Sequence, residues 1–133
     1  MRIALVVLAA ALAAGCGSER RAATEPPATA LTIDVWPQGR GHGEPRRLTL
    51  SCDPAAGSVP DPEAACDLLR RRGVAALAPV PRDVACTQIY GGPEQAEVRG
   101  SVRGKQVKTT FSRANGCEIG RWDRVSVLVP RSG

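Results

Sequence analysis

The apolar positions of this chain fall into one unbroken block and a series of short alternations. The block covers residues 3–14, behind a single positive side chain, Arg2. From residue 30 onward the pattern changes to period two, which sets successive side chains on opposite faces of a strand. Residues 31–36 (LTIDVW), 47–52 (RLTLSC), 97–102 (EVRGSV), 106–111 (QVKTTF) and 125–129 (VSVLV) follow it and are predicted strands. Residues 64–72 are good helix formers. Asp61 is placed to cap this helix, Pro62 to open it, Arg70, Arg71 and Arg72 to favour its C-terminal end, and Gly73 to stop it. The glycine-rich residues 37–45, which include His42, make a long turn between the first two strands, so that these form a hairpin. Residues 54–60 read as loop, and residues 75–86, with Pro79 and Pro81, as mostly irregular. A tight turn near Gly104 and Lys105 joins the third and fourth strands. Five strands against little helix predict an α+β domain built on an antiparallel sheet.

The block at 3–14 is too short to cross about 30 Å of hydrocarbon as a helix. A positive start, a short apolar stretch and small residues make a secretory signal. It ends in Leu12, Ala13, Ala14, Gly15 and Cys16, and small residues directly before a cysteine resemble a bacterial lipobox. There the signal is cut before the cysteine and the thiol carries a diacylglycerol. Residues 1–15 are therefore expected to be a lipoprotein signal peptide. Cys16 would hold the exported chain on the outer face of the membrane, or the chain would be secreted. Residues 16–29 are polar, contain Pro26 and Pro27 and show no hydrophobic period, which predicts a flexible linker. The folded domain is then expected at 30–133.

Composition removes several classes of function. With 133 residues the chain holds one domain and its address, not a multidomain enzyme. There are 18 Lys and Arg against 13 Asp and Glu, a net charge of +5, of which Arg2 leaves with the signal. So small a surplus, with only Trp36, Tyr90, Phe111 and Trp122 as aromatics, does not suit nucleic-acid binding. The chain has one histidine, His42, among glycines in a turn, where a solvated side chain is expected rather than a general base. No Gly-x-Ser-x-Gly, His-Glu-x-x-His or phosphate-cradling loop occurs, so neither an enzyme nor a metal or cofactor site is expected.

The cysteines carry more information. A domain of about 104 residues can bury one core but gains from cross-links. Export puts Cys52, Cys66, Cys86 and Cys117 in an oxidising compartment, where two disulfides are expected. Three pairings are open, and spacing alone does not choose among them. No Cys-x-x-Cys pair is present to suggest zinc or a redox centre.

An ordered set of short motifs then narrows the class. It runs Thr-Leu-x-Cys at 49–52, Ala-Cys-x-Leu at 65–68, Asp-Val-x-Cys-x-x-Ile-Tyr at 83–90, Gly-Lys-x-Val at 104–107, and a Phe six residues ahead of Cys-Glu at 111–118. Together these resemble the Streptomyces subtilisin inhibitor family of secreted serine-protease inhibitors, over nearly all of the mature domain. The resemblance implies a five-stranded antiparallel sheet with one or two helices on one face, commonly as a homodimer. It implies the pairings Cys52–Cys66 and Cys86–Cys117. It also implies that the bond offered to the protease joins Gln88 to Ile89, two residues after the third cysteine, with Ala85 and Thr87 before it and Tyr90 after it in the protease's subsites. The family usually presents Met, Lys or Arg where this chain has Gln88, and proline where it has Thr87. A pocket with an acidic floor would keep an unpaired carboxylate against glutamine, so the expected partner is a subtilisin-like protease rather than a trypsin-like one. The alternative is a non-inhibitory cell-envelope lipoprotein that uses the same scaffold to bind a partner.

Overall fold

The computed structural model describes residues 25–133; the expected signal peptide, Cys16 and most of the expected linker lie outside the described residues. A five-stranded antiparallel sheet has the order β3-β2-β1-β4-β5. Its strands are β1 (Ala30–Trp36), β2 (Arg46–Ser51), β3 (Ala56–Gly57), β4 (Gln95–Val102) and β5 (Lys105–Ser112). Two α-helices complete it, α1 (Pro62–Arg72) and α2 (Gly116–Asp123), with a 3-10 helix at Gly73–Leu77.

Alternation works here as the sequence suggests. In the central strand β1, Leu31, Ile33 and Val35 are buried on one face. The register sets Leu31 opposite Leu50, and Ile33 between Leu48 and Val98. Ala96 pairs with Phe111 on the same face. Leu68 and Leu69 of α1 and Trp122 of α2 join these residues in one core cluster, so both helices cover that face. Asp61 caps α1 by accepting from the Ala64 N–H at 2.9 Å. Disulfides link Cys52 to Cys66 and Cys86 to Cys117, the pairing implied by the motifs. Thr29 already belongs to the fold: its carbonyl accepts from the Cys52 N–H and its hydroxyl from the Arg103 N–H. Among the described residues, the core, the strands and both disulfides lie within residues 28–133.

The count of five strands is right but one member is not. Residues 125–129 are turns, not a strand. Val125, Leu128 and Val129 are buried, a spacing of three and four. Their backbone repeats that spacing, with the Leu128 and Val129 N–H groups both donating to the Val125 carbonyl. VSVLV fits period two and a helical turn equally well, and the preceding helix decides between them. The Trp122 indole N–H then fixes the segment by donating to the Val129 carbonyl at 2.8 Å. The fifth strand is the two-residue β3, inside the segment read as loop, where Ala56 and Gly57 pair with Ser51 and Leu50.

The outer face of the sheet is polar, with one buried charge. Asp34 is 2% exposed although it points away from the core. Arg47 of β2 covers it with a two-pronged contact at 2.7 and 3.1 Å, and Arg99 of β4 reaches it at 2.7 Å. The hydrogen bonds from Arg47 hold its carboxyl below the ordinary carboxylate range; burial opposes this and Arg99 adds to it. A carboxyl lowered in the folded state adds stability above its unfolded value, near pH 4, and loses it as pH falls through the lowered folded value. Asp34→Asn is therefore expected to cost about 2 kcal/mol at pH 7, the range for hydrogen bonds to a charged group. It should also flatten the acid limb of stability, as chemical denaturation from pH 7 to pH 2 would register.

Candidate functional site: a loop tied on both sides

Between the 3-10 helix and β4 the chain makes no helix and no strand, and from residue 81 to 90 almost every side chain is exposed. Among the described residues, four large hydrophobic side chains stand exposed, and three of them lie here: Val84 at 48%, Ile89 at 61% and Tyr90 at 68%. Leaving such groups in water forgoes the burial that drives folding, so a cluster of them marks a surface kept for a partner. Gln88 is exposed beside them.

The loop is nevertheless fixed, because the start of α2 is built to hold it. Asn115 caps α2, its side chain accepting from the Glu118 N–H at 3.0 Å. This aims the first N–H groups of the helix outward, and that of Gly116 donates to the Thr87 carbonyl at 2.9 Å. One residue further on, Cys117 is joined to Cys86. A Cβ at position 116 would collide with the Thr87 hydroxyl, which would have to turn away to admit it. These contacts hold the chain immediately ahead of Gln88.

Beyond Ile89 a second brace acts. The Gly91 N–H donates to the Arg113 carbonyl at 2.7 Å, and the Arg113 side chain returns a bond to the Gly91 carbonyl at 3.3 Å. Arg113 is itself buried, paired with Asp123 at 3.1 Å and lying over the Trp122 ring. A Cβ on Gly91 would meet Ile119 of α2 at 2.7 Å. Gln88 and Ile89 thus sit on the free span between two anchor points, Thr87 and Gly91. The Gln88 side chain turns back to donate to the Cys86 carbonyl at 3.3 Å.

Ala85, Thr87, Gln88, Ile89 and Tyr90 therefore all lie on one exposed stretch. Sequence reasoning did not single out Arg113, Gly116 or Ile119, which support it. A signal for the helix that carries two of them was present, Asn115 followed three residues later by Glu118, a cap pattern. Arg113→Ala removes the brace beyond Ile89 and leaves the disulfide. It is expected to loosen the loop, raising amide hydrogen exchange across residues 88–91 about tenfold, with Arg113→Lys intermediate, against an unchanged far-ultraviolet spectrum. Among the described residues, no group of three His, Cys, Asp or Glu could hold a metal ion.

A small cross-linked domain that spends its rigidity on one exposed loop defines a class, the protein inhibitors that present a peptide bond to a protease. The sequence pattern of the subtilisin inhibitor-like family matches residues 25–115, and the chain belongs to that family, one of serine-protease inhibitors rather than enzymes. Its disulfides and family indicate an extracellular protein. Among solved structures it is similar to Streptomyces caespitosus sermetstatin, crystallised in complex with Bacillus licheniformis subtilisin. The two are 28% identical, with 72% of this chain and 94% of that chain covered and a TM-score of 0.46. No curated protein matches the chain.

Proposed function

We propose that the chain inhibits a subtilisin-like serine protease by offering Gln88–Ile89 as its reactive bond. Ala85 and Thr87 fill subsites ahead of the bond and Tyr90 one beyond it. The observation that carries this is the pair of braces, one on each side of an exposed bond. The protease takes the loop by adding it as a strand, with side chains entering pockets. Its serine attacks the Gln88 carbonyl; the peptide bond breaks, an ester forms, and the Ile89 amine is released. In an ordinary substrate that amine diffuses away. Here Gly91 stays bonded to Arg113, and Cys86 and Thr87 stay tied to Cys117 and Gly116, so the amine remains beside the ester. It re-forms the peptide bond faster than water hydrolyses the ester. Loop entropy removed during folding is not lost again on binding, which is how a small interface becomes tight.

The lipidated Cys16 belongs to the same proposal. It would keep the inhibitor on the outer face of the producer's membrane, where it guards the envelope or holds an exported protease. Titrating a subtilisin-type protease with the domain tests the inhibitory reading. Stoichiometric loss of activity, with at most slow cutting at Gln88–Ile89, is expected. Full residual activity would favour the non-inhibitory lipoprotein, and mass spectrometry of envelope material would show whether Cys16 carries lipid.

A further inference from the structure

The end of the domain opposite the loop is basic, and it is the end at which the N-terminal segment arrives. The Ala28 carbonyl accepts from the Gly104 N–H and the Thr29 hydroxyl from the Arg103 N–H, which pins the incoming chain to the β4–β5 turn. That turn meets the C-terminus of α1. The Arg103 guanidinium lies 3.5 Å from where a Cβ on Gly73 would sit. Arg72, Arg103 and Lys105 line one shallow depression, and Arg70 and Arg103 share the next with Thr29 and Asp53. Arg70 and Arg71 are paired with Asp67, but among the described residues Arg72, Arg103 and Lys105 have no carboxylate partner. Five cations therefore face outward with Asp53 and Asp67 as the local acids.

We propose that this basic end docks on an anionic lipid surface and so orients the inhibitor with its loop facing away. Lipid is favoured over other polyanions on the reading of Cys16 as a lipid anchor, on which this inference rests. The cations surround the point where the segment leading back to Cys16 enters the domain. That segment is short: 13 residues, 16–28, reach at most about 45 Å. An anchor on Cys16 would confine these cations to within that reach of the headgroups, and their attraction to anionic lipid, which acts over roughly one Debye length, about 8 Å, would then bring them down onto it. The sheet sets the stand-off. β4 runs from Gln95, beside the braced loop, to Val102 at the basic end, eight residues or about 26 Å. With the basic end down, Gln88 and Ile89 point toward incoming protease.

The test uses residues 25–133 without lipid, so that neither the anchor nor inhibition is assumed. Sedimentation with phosphatidylglycerol-containing vesicles should show salt-sensitive binding, with none to pure phosphatidylcholine. Each surface cation contributes about fivefold near such a membrane. Arg103→Gln with Lys105→Gln, neither of which lines the cavity that Arg72 shares with Val84, Gly116 and Cys117, should thus weaken binding about 25-fold. Arg46→Gln with Lys108→Gln, cations placed elsewhere, should change it less than twofold. Equal losses from both pairs, absence of vesicle binding, or binding to soluble polyphosphate but not to vesicles would each overturn the proposal. Protease titration of the same variants should be unchanged, so failure of docking and failure of inhibition are told apart.

Discussion

Replacing Cys86 and Cys117 together by serine is expected to turn the chain from an inhibitor into a substrate of the same protease. The two cysteines lie 31 residues apart, and loop-closure entropy of that size is worth about 3.7 kcal/mol of stability. The sheet and its core are built elsewhere, around Ile33, Val98, Phe111 and Trp122, so the domain should remain folded at low temperature. The change at the loop is larger in kind. The Gly116 contact to Thr87 is one hydrogen bond, too weak to keep the cut end in place once the covalent strap is gone. The loop must then be ordered at each binding event, and the released end can leave after cutting. Affinity should fall on the order of a thousandfold, and mass spectrometry should show complete cleavage at Gln88–Ile89 within the time the parent is barely nicked. The companion variant without Cys52 and Cys66 separates clamp from staple. Those residues are 14 apart, worth about 3 kcal/mol, and sit at the far end of the sheet. It should lose comparable stability yet still inhibit below its melting temperature. Equal loss of inhibition in both would show that the disulfides act only through global stability.

How much of this was legible in the sequence depends on how far apart the cooperating residues lie. The strands β1, β2, β4 and β5 are local period-two patterns with one buried face, and α1 carries its own cap and stop, so all five could be read from neighbouring residues. β3 could not, because two residues have no period and pair only through Leu50 and Ser51. The strand expected at 125–129 failed because five residues of mixed valine and leucine satisfy two periods at once. The loop was legible as a motif, but its rigidity was not. That rigidity comes from Arg113, whose burial depends on Trp122 and Asp123, and from the fit of Gly91 against Ile119. None of these contacts follows from spacing along the chain. The Asp34 cluster was equally hidden, since Asp34 meets Arg99 across 65 positions of sequence.

Changing Gln88 should move the target of inhibition rather than the fold. Its side chain is exposed and makes one contact with its own loop, to the Cys86 carbonyl, which water can replace. Gln88→Lys is thus nearly neutral for stability. In a trypsin-like pocket, glutamine leaves a buried carboxylate without a cation, whereas lysine pairs with it. Pairing a buried charge that would otherwise be unsatisfied is worth about 3 kcal/mol or more, so trypsin inhibition should rise by at least about a hundredfold. A subtilisin-like pocket, broad and uncharged, should respond by less than about tenfold. Gln88→Pro tests the backbone instead of the side chain. Proline removes the N–H that a strand-adding protease would bond and locks φ, so inhibition of both classes should vanish while the melting temperature holds. Inhibition constants for the three forms against one protease of each class decide the matter. If both variants inhibit as the parent does, the protease grips another part of the surface, and the braces on Thr87 and Gly91 serve only to keep a long loop in order.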